Sequence, residues 1–168
     1  MTTGDSFEGK LYRALNPLWA SRPLSGAGAA KYGGRFNAIG MPALYCSLDP
    51  LTALREANQV GDLRPTTLVA FDAAVAPIFD ARSSASLAQF EMTPAAIADP
   101  GWRQQMLTHG KCPTQVLARR LYDKGFAGLC VRSFARGAGE TDLDLVLWRW
   151  GGTASCRVTL IDEENRLR

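Results

Sequence analysis

Short apolar and alternating runs, separated by turn residues, predict several β-strands in this chain. Apolar residues that alternate with polar ones are typical of half-buried strands, and unbroken apolar runs of similar length are typical of buried strands. Six segments fit these patterns: 10–15, 43–47, 66–75, 128–133, 143–150 and 156–162. Strands therefore lie towards both ends of the chain with helical segments inserted between them, which predicts a single α+β domain.

Two helices have clear start and stop signals. A helix is predicted from Pro50 to about Val60, ending before Gly61, because proline fits the first helical turn. A second helix is predicted to start at Pro113 and to end at Gly125. Segment 82–109 has only weak helical patterns, and the sequence assigns it no role.

The first helix has one apolar arc on a helical wheel, made by Leu51, Ala53, Leu54, Ala57 and Val60. Glu56 falls at the edge of this arc, beside Val60. We therefore expect its carboxylate to lie over the border of the core rather than out in solvent.

The densest run of candidate ligand-binding residues is segment 25–40, within a turn-rich stretch that starts at residue 16. Long stretches without structure of their own are uncommon in small domains and are usually functional. Gly33 and Gly34 are expected to expose backbone N–H groups, while Arg35 offers a planar fork of donors suited to a pyrophosphate. The alternative is a surface loop with a solvated arginine. Neither a Walker nor a Rossmann phosphate motif is present in this run.

Tyr45 and Glu56 are separated by one strand-to-helix turn. A carboxylate beside a sugar can stabilise the positive charge that develops when a glycosidic bond breaks, and it can also hold a ribose hydroxyl. Tyr45 is a candidate for stacking on a ligand ring. Taken singly, Glu56 is better explained as a surface helix residue, and Tyr45 is better explained as a half-buried packing residue.

Ser133 follows an apolar strand but has no surrounding G-x-S-x-G motif. The only histidine, His109, lies in a poorly patterned segment, so a Ser–His–Asp mechanism is disfavoured. Ser133 is better explained as a hydrogen-bond donor to a ligand or to Glu56.

Composition narrows the function classes. The chain has 168 residues, enough for one domain, and a net charge of +3 that is scattered along the sequence. This distribution favours a basic pocket for a phosphorylated small molecule over nucleic-acid binding. No apolar run reaches membrane-spanning length and residues 1–10 have no apolar signal core, so we expect a cytoplasmic protein.

No metal site is predicted. The four cysteines form no C-x-x-C pair and have no histidine at ligand spacing, so we expect reduced thiols. Asp142 and Asp144 point the same way on a strand, but no third ligand accompanies them.

Together these positions resemble the RES-domain family, which is named for an arginine, a glutamate and a serine. The matches are Arg35 in GGRFN, Glu56 in LTALREA and Ser133 in GLCVRS. Supporting matches are Tyr12–Arg13, the SGAGA run at 25–29, Tyr45 in ALYCS and the DLVLW segment. The resemblance extends from about Leu11 to Trp148, so the chain is expected to be one RES domain over 1–168 with its core at about 11–150. Family members often have asparagine where Asp144 stands, so no ligand role is transferred to Asp144.

The resemblance implies the toxin half of a bacterial type II toxin–antitoxin pair, with a helix-turn-helix antitoxin of the Xre type covering the active site. It implies an ADP-ribosyltransferase-like fold, with a split, mostly antiparallel sheet and NAD⁺ bound in a cleft as substrate. Its implied site roles are phosphate binding by Arg13 and Arg35 beside Gly34, packing against the ligand by Tyr45, stabilisation of the ribosyl cation by Glu56, and positioning of Glu56 or the ribose by Ser133.

Three activities stay open at this point. The first is cleavage of the nicotinamide–ribose bond of NAD⁺, with water or phosphate as the acceptor. The second is ADP-ribosylation of a protein, which would use the same site with a protein side chain as acceptor. The third is reversible binding of NAD⁺ or ADP-ribose without catalysis, which would not need a carboxylate beside the phosphate-binding arginines. Direct DNA binding is not expected.

Overall fold

The computed structural model describes residues 4–59 and 63–167. The strands in this part of the chain are β1 (Asp5–Leu15), β2 (Leu44–Ser47), β3 (Thr67–Asp80), β4 (Gly128–Arg132), β5 (Leu143–Leu147) and β6 (Cys156–Leu160). The α-helices are α1 (Ala27–Tyr32), α2 (Pro50–Ala57), α3 (Ser84–Ala88), α4 (Pro94–Ala98), α5 (Trp102–His109) and α6 (Pro113–Asp123). The α+β class is therefore confirmed.

The strands form one continuous sheet that closes on itself. Its order is β1-β2-β5-β4-β3-β6, and β1 also pairs with β3, so five strands make a closed ring with β6 attached to β3. Only the β3–β4 pair is parallel, which confirms the mostly antiparallel sheet. The expected split of the sheet is not found.

The length of β3 explains the closure. Its 14 residues pair with β1 along one edge, from Thr67 to Ile78. The other edge is shared, first by β6 over Phe71–Val75 and then by β4 over Ile78–Asp80. Because it is this long, β3 pairs with β1, β4 and β6, and these pairings close the sheet.

Two apolar clusters pack on the two faces of the strands. On β5, Leu145 and Leu147 belong to a cluster shared with β1, β2, β3 and β6, whereas Val146 faces a second cluster that includes side chains of α3, α4 and α6. This is the period of two that a strand imposes. The helical layer therefore covers one face of the sheet, and the cavity described below opens on that same face.

Helix α2 begins as predicted and turns a different face inward. The Asp49 carboxylate caps it by accepting from the Thr52 amide at 3.0 Å. The buried residues are Thr52 and Ala53, whereas Leu51 is 61% exposed and Ala57 is also exposed, so the predicted apolar arc is wrong at these two positions. Thr52 tolerates burial because its hydroxyl is hydrogen-bonded to carboxylates of Asp49 and Asp142. The expected helix end at Val60 and Gly61 lies outside the described residues.

The stretch 16–40 is more structured than its turn residues suggest. It contains a short 3₁₀ helix, Pro17–Trp19, followed by α1. Segment 82–109 likewise holds α3, α4 and α5. No helix within the described ranges is long and apolar enough to cross a membrane, and all four cysteines are free thiols.

Candidate active site

A cavity of about 600 Å³ brings together residues from across the chain. Its lining includes Arg35, Tyr45, Glu56, Trp102, Phe134 and Asp144. A smaller cavity of about 320 Å³ adjoins it and contains Arg13. The two cavities share Tyr45, Glu56, Ala57 and Asp144.

The turn that carries Arg35 uses its own glycine amides internally. The Gly33 amide donates to the Ala29 carbonyl at 2.8 Å, and the Gly34 amide donates to the Asn37 carbonyl at 2.9 Å. The expectation that these N–H groups are exposed to a ligand is therefore wrong. Gly34 instead allows close packing, because a Cβ at this position would collide with the hydroxyl of Tyr45.

Side chains of helix α6 and of Trp148, which follows β5, hydrogen-bond to the carbonyls of the turn that carries Arg35. The Thr114 hydroxyl donates to the Arg35 carbonyl, and the Gln115 amide donates to the Gly34 carbonyl at 2.9 Å. The Trp148 indole donates to the Phe36 carbonyl at 2.9 Å. These bonds satisfy carbonyls that would otherwise be buried without partners, and they set the position of the Arg35 backbone.

The Arg35 guanidinium is held by hydrogen bonds at one edge and by an aromatic ring on one face. Its Nη1 donates to the carbonyls of Ile97 at 3.2 Å and Asp99 at 2.7 Å, and its guanidinium lies 4.3 Å from the centroid of the Phe134 ring. Burial lowers the pKa of Arg35, while the charge of Glu56 opposes that shift. Within the described part of the chain, Nε and Nη2 make no hydrogen bond, so this edge is available to an anion.

Glu56 lies in the last turn of α2 and receives two hydrogen bonds. The Ser133 hydroxyl donates to Oε1, and the Gln59 amide donates to Oε2. Ser133 is itself buried at the end of β4. Of the two partners expected for Ser133, a ligand or Glu56, the bond to Glu56 is present. His109 is exposed at the end of α5 and is not a partner of Ser133 in the described chain.

Asp144 is the carboxylate that sequence reasoning left without a role. It lies on β5, lines both cavities together with Glu56 and accepts from the Ser47 hydroxyl at 2.6 Å. Burial, followed by the neighbouring Glu56 carboxyl, raises the pKa of Asp144 to about 8. The available signal was strand alternation, which places Asp144 on the same face as Val146, another cavity residue.

Tyr45 and Arg13 are placed by neighbouring strands. The Tyr45 hydroxyl is bonded to the turn that carries Arg35, and burial raises the pKa of this phenol above its usual range. Arg13 Nη1 donates to the carbonyls of Pro23 at 2.8 Å and Ser25 at 3.1 Å. Arg13 therefore ties the 23–25 loop to β1, and burial lowers its pKa.

Helix α5 contributes cavity residues that the sequence did not nominate. Trp102 and Arg103 both line the cavity, and the Arg103 guanidinium lies 4.8 Å from the centroid of the Trp102 ring. Arg64 adds a further cation to the lining. Across residues 4–59 and 63–167, no group of three or more His, Cys, Asp or Glu side chains is arranged to hold a metal ion.

Comparison with known proteins agrees with this architecture. The family model described as RES domain matches residues 10–166. No curated protein matches the sequence. Among solved structures, a chain of the crystal structure of the M. tuberculosis MbcT–MbcA toxin–antitoxin complex is similar, with a TM-score of 0.64 and 17% identity. The match covers 94% of this chain and 83% of that chain, and it shows the fold alone. Since the family model spans nearly the whole length, the chain belongs to the RES-domain family.

Proposed function

We propose that this protein is the toxin of a toxin–antitoxin pair and that it cleaves the nicotinamide–ribose bond of NAD⁺. The observation that carries the proposal is the placement of Arg35 and Glu56 in one cavity, with Ser133 hydrogen-bonded to Glu56. Family membership supports it. The structural neighbour is described as part of a toxin–antitoxin complex, which supports the same role.

In this proposal the cations of the cavity bind the pyrophosphate. The free edge of the Arg35 guanidinium can make a bidentate contact with a phosphate group. Arg103 and Arg64 add positive charge on the same lining. Trp102, at the start of α5, supplies an aromatic face for a ring of the dinucleotide.

Glu56 acts on the ribose. As the glycosidic bond breaks, positive charge develops on the sugar, and an ionised carboxylate held in advance stabilises it. Nicotinamide leaves as a neutral molecule, so the step needs neither a general acid nor a metal. The hydrogen bonds from Ser133 and Gln59 keep Glu56 in one orientation.

The test is nicotinamide release from NAD⁺ by the purified protein, with and without inorganic phosphate. Glu56→Gln keeps the shape of the side chain and removes its charge, so turnover should fall by about 10²-fold or more. Glu8→Gln, at an exposed position on β1, is the matched control and should release nicotinamide at the normal rate.

The outcomes separate the candidate activities. Release that rises with phosphate indicates phosphorolysis, and release that is unchanged by phosphate indicates hydrolysis. Glu56→Gln turnover equal to that of the unchanged protein would refute the mechanism. Release only when a protein acceptor is present, with transfer of an NAD⁺-derived label to that acceptor, would identify an ADP-ribosyltransferase. Reversible binding without release would identify a binding module.

We also propose that a helix-turn-helix antitoxin of the Xre type covers the cavity. Leu51 and Leu63 are 61% and 77% exposed and line a shallow groove that shares Asn58 and Gln59 with the cavity. Exposed leucines beside an active site are suited to a protein partner. Leu51→Asp together with Leu63→Asp should leave nicotinamide release intact and weaken inhibition by the purified antitoxin.

A further inference from the structure

Asp142 hydrogen-bonds both to helix α2, which carries Glu56, and to the end of the strand that leads to Ser133. Its Oδ1 accepts from the Thr52 hydroxyl at 3.2 Å, and its Oδ2 accepts from the Arg55 guanidinium at 3.0 Å. Its backbone carbonyl accepts from the Ser133 amide at 2.8 Å. One residue therefore contacts both sides of the hydrogen bond between Ser133 and Glu56.

The periods of a helix and of a strand pair explain this arrangement. Thr52 and Glu56 are four residues apart on α2, so their side chains lie on the same face of the helix, one turn apart. Ser133 and Asp142 face each other just beyond the last paired residues of β4 and β5. The helix face thus docks on the end of the β4–β5 pair through two side-chain contacts, Thr52 with Asp142 and Glu56 with Ser133.

The Asp142 carboxylate is also fixed from its own loop. The Gly139 amide donates to its Oδ2 at 2.7 Å. The bond from Gly139 lowers the pKa of Asp142, and the contacts with Thr52 and Arg55 add to this shift, so the group is an ionised acceptor at neutral pH. The Asp142 side chain is 19% exposed, and a carboxylate largely withdrawn from water needs such donors.

Helix α2 depends on contacts of this kind for its orientation. It has eight residues, of which only Thr52 and Ala53 are buried. A helix of this length has little stability of its own, so contacts with the rest of the domain determine where it lies. Asp49 caps its first turn, whereas Asp142 bonds to Thr52 and to Arg55, the residue next to Glu56.

We propose that Asp142 is a positioning residue that fixes α2 against the end of the β4–β5 pair and so keeps Glu56 in place to accept from Ser133. The inference rests on the proposed function for the reaction that Glu56 serves. Without the Asp142 carboxylate, α2 shifts relative to Ser133 and Glu56 loses its orientation towards the ribose. The loss falls on kcat more than on KM, because other residues bind the pyrophosphate.

A double-mutant cycle tests this role. Asp142→Asn removes the charge and leaves one acceptor oxygen for two donors of α2, so kcat should fall by up to about 10-fold with little change in KM. In the Ser133→Ala background, where the bond to Glu56 is already absent, the same change should lower kcat by about 2-fold or less. A residue that only stabilises the fold would lower kcat by the same factor in both backgrounds.

The matched control is Asp72→Asn. Asp72 is exposed on β3 and also forms an ion pair, with Lys10 on β1. Its variant should leave kcat unchanged, with and without the Ser133 hydroxyl.

A second pair of variants leaves Asp142 itself in place. Thr52→Val removes the hydroxyl that donates to Asp142 and should lower kcat in the same direction as Asp142→Asn. Thr52→Ser keeps a hydroxyl at this position and should retain most of the turnover that Thr52→Val loses.

A further measurement does not depend on activity. With ¹³C-labelled glutamate carboxyls, the resonance that is missing from Glu56→Gln identifies Glu56. Ser133→Ala removes a donor and should shift this resonance. Asp142→Asn should shift it in the same direction, and Asp72→Asn should leave it unchanged.

The outcomes are distinct. Equal effects of Asp142→Asn on kcat in the two backgrounds, or a Glu56 resonance that moves in Ser133→Ala but not in Asp142→Asn, would overturn the proposal. If the unchanged protein releases no nicotinamide, the proposed function fails, and the resonance alone then decides whether Asp142 positions Glu56.

Discussion

The Tyr45 hydroxyl donates to Oδ1 of Asn37 at 2.7 Å, and this bond joins strand β2 to the turn that carries Arg35. The Tyr45 hydroxyl oxygen in turn accepts from the Phe36 amide at 3.0 Å. Asn37 is fully buried, and its amide nitrogen donates to the carbonyls of Ala29 and Met41. The side chains of Tyr45 and Asn37 thus connect α1, the turn and β2, and each of their polar atoms has a hydrogen-bond partner.

Removing this hydroxyl should destabilise the fold. Tyr45→Phe leaves the Phe36 amide and the Asn37 oxygen without their partner, at a cost of about 1–3 kcal/mol in the free energy of unfolding. Urea denaturation measures the loss. Tyr32→Phe is the control, because Tyr32 is 67% exposed and its variant should unfold like the parent. Equal stability of the two variants would contradict the role given to the network.

Removing the Ser133 hydroxyl should slow catalysis, and it should also lower stability because the buried Ala135 amide loses its acceptor. Ser133→Ala deletes one donor to the Glu56 carboxylate and keeps the Gln59 bond, so kcat should fall on the order of 10-fold with little change in KM. Rates of nicotinamide release over a range of NAD⁺ concentrations separate the two constants. Ser84→Ala, exposed on α3, serves as the reference. A change confined to KM would show that Ser133 acts on the substrate instead.

Arg35→Lys should weaken substrate binding more than turnover. Lysine keeps the positive charge but loses the planar fork and the stacking on Phe134, so KM should rise by about 10-fold or more. Arg157→Lys, at an exposed position on β6, should leave KM unchanged. An unchanged KM in Arg35→Lys would remove the phosphate contact from the proposal.

The raised pKa of Asp144 also predicts how stability depends on pH. A carboxyl group whose pKa rises on folding binds its proton more tightly in the folded state. Its contribution is therefore most favourable below the unfolded value near 3.8 and is lost as the pH rises towards about 8. Asp144→Asn does not titrate, so its stability relative to the parent should increase across this window. Unfolding measured at several pH values tests this, and a difference that is constant with pH would contradict it.

Local patterns placed the candidate residues on their elements: Arg35 in a glycine-rich turn, and Glu56 on a helix whose start is marked by Asp49 and Pro50. They did not single these residues out, since each also fitted an ordinary surface position, and only the ordered resemblance to the RES-domain family nominated them together. The absence of a base beside Ser133 left two partners for its hydroxyl, a ligand or Glu56, and the structure has the bond to Glu56. The roles of these residues in catalysis stay predictions.

The rest of the site and of the sheet depends on contacts between residues far apart in the sequence, which local patterns cannot predict. Asp144 meets Glu56 only because β5 pairs with β2, directly before α2. Trp102 reaches the cavity because α4 and the turn after it supply two carbonyls to Arg35. The split sheet was expected from the family resemblance, and local patterns could not correct it because they show neither the full length of β3 nor its second edge. The glycine amides were misjudged for the same reason, since their acceptors are set by the folded turn.

The closed ring has a consequence for the chain during its synthesis. Arg35 and Glu56 are made early, but Ser133, Asp144 and Trp148, which hold or adjoin them, come more than 70 residues later than Glu56. Ribosomes add about 5–20 residues per second, so several seconds separate the two groups. A chain that ends before Leu143 has neither the strand β5 that completes the ring nor the Trp148 bond to the turn. The site can therefore form only after β5 and Trp148 have been made, well after Arg35 and Glu56 have left the ribosome's active centre.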